Sequence, residues 1–190
     1  MKRFLTVGLA ALCAIVLALG SMGDVTAATS LTASLASTWS VRLTEALAAG
    51  TQSYDSANSG HTVTLTNGSG LNQANKVFVA TAAATTSYDL DSTLTGPLGS
   101  VSFTRIVGIR VVAASANSAA ISVGGDWILT KYLTPGGDTL ANTTIPVSIN
   151  GSWEFVAPTA AGIAVTATTG DVVTITVAGT DSFTVMVVGS

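Results

Sequence analysis

The chain has 190 residues, 48% of them hydrophobic and only 9% charged, which is ample apolar material for one substantial core. That balance excludes intrinsic disorder, which needs low hydrophobicity and usually a high net charge. The formal net charge is -3 and the seven Lys and Arg residues are scattered, so no basic cluster is present to track a nucleic-acid backbone.

The N-terminal segment comes first. Lys2 and Arg3 precede an apolar run from Phe4 to Leu19, and Val25-Thr26-Ala27 supplies the small residues of a cleavage site. These are the three parts of a secretory signal peptide, so residues 1–27 are expected to be removed and 28–190 to form a single domain. The apolar run is shorter than the ~20 residues of a membrane span, and no membrane association is expected after removal. Met22 offers a second possible start, which would leave a chain opening MGDVTAATSLTASL. Cys13, the only cysteine, follows Leu12 where lipid attachment would want a small residue. A chain beginning at Ala28 therefore has neither disulfides nor thiolate chemistry.

Beyond Ala28 the pattern is that of strands and turns. Thr fills 29 positions, and β-branched residues favour pleated, half-buried surfaces. Residues 29–50 fit either a short helix over Arg42–Ala49 or a strand in which Trp39, Val41, Leu43 and Glu45 alternate; the strand is preferred. His61 to Thr66 alternates cleanly and ends in the turn signal Asn67-Gly68-Ser69-Gly70. Lys76–Thr81 places Val77 and Val79 on one face and Phe78 on the other, Thr85–Leu90 is a further strand, and Gly96-Pro97-Leu98-Gly99 turns the chain.

The longest apolar stretch runs from Val101 to Ala114, with Gly108 near its middle predicting a bulge or bend. Asn117 marks a turn, Ala120–Val123 a strand, and Trp127–Leu133 continues the series until Pro135-Gly136-Gly137-Asp138. Ser152–Val156 is a strand ended by Pro158. Gly162–Thr168, Val172–Ala178 and Ser182–Val188, separated by Gly-Asp and Gly-Thr-Asp turns, predict a three-stranded antiparallel meander. Eight to ten short strands at regular spacing predict an all-β antiparallel sandwich, most simply a jelly roll.

Candidate chemistry is sparse. His61 is the sole histidine, sits in an Asn-Ser-Gly-His turn before a strand, and has no Gly-x-Ser-x-Gly nucleophile elbow to serve. Asp89 and Asp91 fall at i and i+2, which on a strand would put both carboxylates on one face; such a pair can contact calcium or divide acid and base roles. Calcium needs more oxygens than this segment offers, and a solvated edge is the simpler expectation. Asp126, Asp138, Asp171 and Asp181 all lie in turns, where aspartate hydrogen-bonds its own backbone. Trp39, Trp127 and Trp153 suit core or subunit-interface positions, with a sugar-stacking platform as the alternative. Asn67, Asn142 and Asn150 match the acceptor pattern for N-glycosylation. No catalytic, cofactor-binding or metal-ligating set is expected, and no enzymatic activity.

Several segments carry a resemblance. They are Leu31-Thr-Ala-Ser-Leu35, Thr66-Asn-Gly-Ser-Gly-Leu-Asn-Gln-Ala-Asn75, Thr86-Ser-Tyr-Asp-Leu-Asp91, Phe103-Thr-Arg-Ile-Val-Gly-Ile109 and the stretch from Ala157 to Asp171. In order and texture this chain is similar to a family of small structural proteins encoded near the capsid genes of tailed bacteriophages. The resemblance implies a non-enzymatic virion component, of head-decoration or minor-capsid type, with copies of itself or a coat protein as partner. Such proteins assemble in the cytoplasm and need no signal peptide. Export of the Met1 product would place it in an extracellular assembly, whereas a start at Met22 fits a virion. The alternative function is a secreted module binding carbohydrate or another surface polymer.

Overall fold

The computed structural model describes residues 31–39, 42–47, 50–55, 59–96, 99–133, 143–159 and 162–190. The signal-like segment, Met22, Cys13, Asp138 and Asn142 lie outside them. The described residues form β1 (Ala33–Trp39), β2 (Arg42–Leu47), β3 (Gly50–Asp55), β4 (Ser59–Asn67), β5 (Gln73–Ala74), β6 (Lys76–Ala82), β7 (Thr86–Asp89) and β8 (Leu94–Gly96). There follow β9 (Gly99–Val101), β10 (Arg105–Ala113), β11 (Ile121–Gly124), a π-helical turn (Ile128–Leu133), β12 (Ile145–Val147), β13 (Ser152–Val156), β14 (Ile163–Ala164), β15 (Val172–Thr176) and β16 (Phe183–Gly189).

Two sheets carry the main core. One has the order β13-β10-β16-β6, with β14 added alongside β10, and the other the order β12-β11-β15-β7. All these pairs are antiparallel. Alternation along the strands sends Phe78, Ile109, Val111, Val185 and Val187 from the first sheet against Val123, Val173 and Ile175 from the second. Trp127, Phe103 and Phe183 close this core and are almost completely buried. The fold is all-β with several antiparallel sheets, none of them closed into a barrel among the described residues, and it is coarsely a sandwich.

The N-terminal strands add a third layer. β1 and β4 form an antiparallel ribbon from Ala33↔Leu65 to Trp39↔Ser59, and β2 pairs with β3 in a separate antiparallel ribbon from Arg42↔Asp55 to Leu47↔Gly50. Leu31, Ala33, Leu35, Val63 and Leu65 of this layer pack with Val77, Val107, Val156 and Val188 on the outer face of the first sheet, making a second, smaller core.

Particular expectations fared differently. The strand reading of the 29–50 region holds for β1 and β2. Phe78 does point into the core, with Val77 packed on the opposite side. The bulge expected near Gly108 is present as a register shift between Ile106 and Gly108. The predicted meander is overturned: β14 pairs with β10, β15 with β11 and β7, and β16 with β10 and β6. The turn at 177–182 therefore carries the chain from one sheet to the other instead of folding a hairpin. The strand expected over Gly162–Thr168 shrinks to Ile163–Ala164, because Val165 onward turns around Asp171. Trp127–Leu133 is helical, not extended. Trp127 and Ile128 are adjacent and both fully buried, and a strand would send neighbours to opposite faces. The eight to ten strands anticipated become sixteen among the described residues, several being two- or three-residue pieces without a readable pattern.

Candidate functional site

The polar side chains expected to matter are mostly engaged with backbone. Asp89 ends β7, and Asp91 lies beyond the strand, so the two do not share a strand face as anticipated. The Asp89 carboxylate accepts from the N–H groups of Asp91 (3.2 Å) and Ser92 (3.1 Å) and from the Ser92 hydroxyl (2.7 Å). This is an aspartate turn. The Ser92 hydroxyl is the main reason the Asp89 carboxyl is held below the ordinary aspartate pKa.

Asp181 does a similar task over a longer range. Its carboxylate accepts from the Ser118 N–H (2.6 Å), the Ala119 N–H (3.0 Å) and the Ser118 hydroxyl (3.1 Å). Beside it, Asn117 both donates to the Ser182 carbonyl (2.9 Å) and accepts from the Ser182 N–H (2.8 Å). The loop before β11 is thus fastened to the loop before β16. These donors, led by the Ser118 N–H, lower the Asp181 pKa.

Asp126 and Asp171 pin the far end of the second sheet. Asp126 Oδ1 accepts from the Val172 N–H (2.7 Å), and the Asp171 carboxylate accepts from the Thr168 N–H. Gly125, at φ +99°, makes this junction possible: a Cβ there would stand 2.3 Å from the Val172 carbonyl oxygen. Only glycine combines that conformation with so close an approach.

The most heavily bonded side chain is one that sequence reasoning did not single out. Arg105 opens β10, is 7% exposed, and donates from Nε to Ser190 Oγ (2.8 Å), from Nη1 to the Thr159 carbonyl (2.9 Å) and from Nη2 to the Gln73 carbonyl (2.8 Å). Burial lowers its pKa from the ordinary arginine value. It ties β5, β10, the end of β16 and the loop after β13 into one knot. The available signal was an arginine, one of two with Arg110, inside the apolar run from Val101 to Ala114.

The tryptophans separate. Trp127 is sealed in the main core, its indole N–H without a hydrogen-bond partner. Trp153 is half-buried on β13 and meets the Tyr132 ring at 5.4 Å and 79°. Tyr132 meets Phe155 in the same edge-to-face manner at 5.1 Å. Trp39 closes the β1 ladder opposite Ser59, and His61 pairs with Ser37. Among the described residues no three His, Cys, Asp or Glu side chains are grouped to hold a metal ion, and no helix is long and apolar enough to cross a membrane.

One surface depression stands out, a groove of about 280 Å³ between β1 and the outer face of the first sheet. Leu35, Val156, Met186 and Val188 line it, with Arg110 and Glu154 at its charged side. Those two charges stand 4.0 Å apart and are substantially exposed, so the pair adds little stability. Comparison of the chain with models of known protein families, with curated proteins and with solved structures finds no match.

Proposed function

We propose that this chain is a non-enzymatic structural protein with a jelly-roll-like sandwich, acting by self-association or by attachment to a capsid or extracellular assembly. The observation that carries the proposal is the strand order. Numbered one to eight, β6, β7, β10, β11, β12, β13, β15 and β16 lie as 6-3-8-1 in one sheet and 5-4-7-2 in the other. That is the double Greek-key order of jelly rolls, which recur in viral capsids and in lectins. Fold alone does not assign function, so the polar groups supply the second support. Asp89, Asp126, Asp171 and Asp181 accept from backbone N–H groups, and Arg105 donates to the backbone carbonyls of Gly70, Gln73 and Thr159. Their chemistry is spent on fixing loops.

The sugar-platform alternative draws less support. Trp127 is enclosed, and Trp153 stands edge-to-face with Tyr132 instead of extending one flat aromatic surface.

The test is the solution mass of the 28–190 product by light scattering at micromolar concentration, with negative-stain microscopy of the same sample. Association into defined oligomers or lattices is expected. A strictly monomeric product that binds no coat or surface lattice would overturn the proposal. Sequencing the mature N-terminus separates the locations: Ala28 indicates export, Met22 a virion component.

A further inference from the structure

Resting on the proposed self-association, we infer that the free edge of β1 is the pairing surface, and that its occupant is β1 of a second copy. An edge strand presents unpaired N–H and C=O groups, and proteins that stay monomeric blunt such edges with charge, proline, brevity or a covering segment. The other outer strands of the two sheets show these devices. β12 is three residues long with Pro146 at its centre, and β7 has four residues and ends in Asp89. β13 carries Glu154 at its centre and is followed closely by Pro158. β6 lies beside the β8–β9 hairpin, where a Cβ on Gly96 would come within 3.0 Å of the Val79 carbonyl.

Among the described residues β1 shows none of them. It is seven residues long, and from Leu31 to Val41 the chain has no charge, no proline and no glycine. Among the described residues it pairs only with β4. The ribbon's opposite edge differs, since β4 begins Ser59-Gly60 and its end is taken by β5.

The groove selects the same edge. It runs beside Ser34, Leu35 and Ala36, and its floor includes Gly108, where a Cβ would come 2.7 Å from the Leu35 side chain. An incoming strand could seat aliphatic side chains there, over Met186 and Val188, while its backbone continues the β1–β4 ladder. Ser34 and Ala36 are exposed in the single chain, so their sides of the strand are open to a partner. Two β1 strands meeting antiparallel across a twofold axis would satisfy both edges at once and close the assembly, as isologous contacts do.

The experiment places a lysine on this edge. Ala36→Lys alters an exposed position, so circular dichroism should match the parent. Light scattering should show its association midpoint shifted to about tenfold higher concentration or beyond. Undiminished association of A36K would overturn the β1 inference while leaving self-association intact. A parent chain that is itself monomeric would overturn both. Should A36K fail to fold, hydrogen exchange of the parent at dilute and concentrated conditions decides. Protection of Ala33–Trp39 amides should rise with concentration while β12 stays unchanged, and concentration-independent exchange in β1 despite a rising mass would overturn the inference.

Discussion

Trp127 shows how a single residue can be both the centre of the core and a flaw in it. Its ring is fully buried in the main core and meets Phe155 of β13 edge-to-face at 6.5 Å. Its indole N–H is buried without a partner, and a buried donor left unsatisfied costs about 1–3 kcal/mol. The two effects can be separated by substitution. Trp127→Ala is expected to destabilise by about 3–5 kcal/mol, because it opens a large cavity. Trp127→Phe keeps most of the apolar packing and removes the orphan donor, so its cost should be smaller by about 2 kcal/mol or more. Urea unfolding of both variants measures the difference, and equal losses would mean that the phenyl ring recovers none of the packing that alanine gives up. The burial of Trp127 was legible in its residue type. The helical turn around it was not, since the alternatives differ only in which of two adjacent apolar residues faces inward, and both do.

At the scale of elements, the loops are held by carboxylates. Asp181 joins the loop before β11 to the loop before β16 by accepting from three donors, the Ser118 N–H and hydroxyl and the Ala119 N–H. Because those donors favour the ionised carboxylate, the folded-state pKa lies below the unfolded-state value of about 3.9. The contribution to stability is therefore fully present above that value and is lost as pH falls through the lower folded pKa. Asp89 behaves with the same sign. Stability measured by thermal melts is expected to be flat from about pH 7 to about pH 5 as far as these groups are concerned, and to fall below about pH 4. Asp181→Asn should melt lower at neutral pH and show a shallower acid decline; a decline as steep as the parent's would remove Asp181 as a contributor. The turns themselves were readable from Gly-Asp pairs. Which loops the aspartates would join was not, because local hydrogen-bonding chemistry fixes a turn's shape and says nothing of a partner 62 or 63 residues away.

For the whole molecule the same limit governs the sheets. Alternation located β6, β13, β15 and β16 closely, yet six of the seven steps between the eight sandwich strands cross from one sheet to the other, and only β11 to β12 stays within a sheet. Hydrophobic period reports which face of a strand is buried, not which strand lies beside it. The outcome is two cores that share the first sheet as a wall. Leu65 is fully buried in the ribbon core and Ile175 in the sandwich core. Truncating either to alanine should cost about 2–5 kcal/mol, but the losses should spread differently. A ribbon of few strands unfolds locally more readily than the sheets beneath it. Leu65→Ala is thus expected to speed hydrogen exchange in β1 and β4 while β11 and β15 keep their protection, whereas Ile175→Ala should lower protection throughout both sheets. If Leu65→Ala loosens β11 and β15 as much as β1, the ribbon and sandwich unfold as one cooperative unit, and the edge of β1 is as rigid as the sheets that support it.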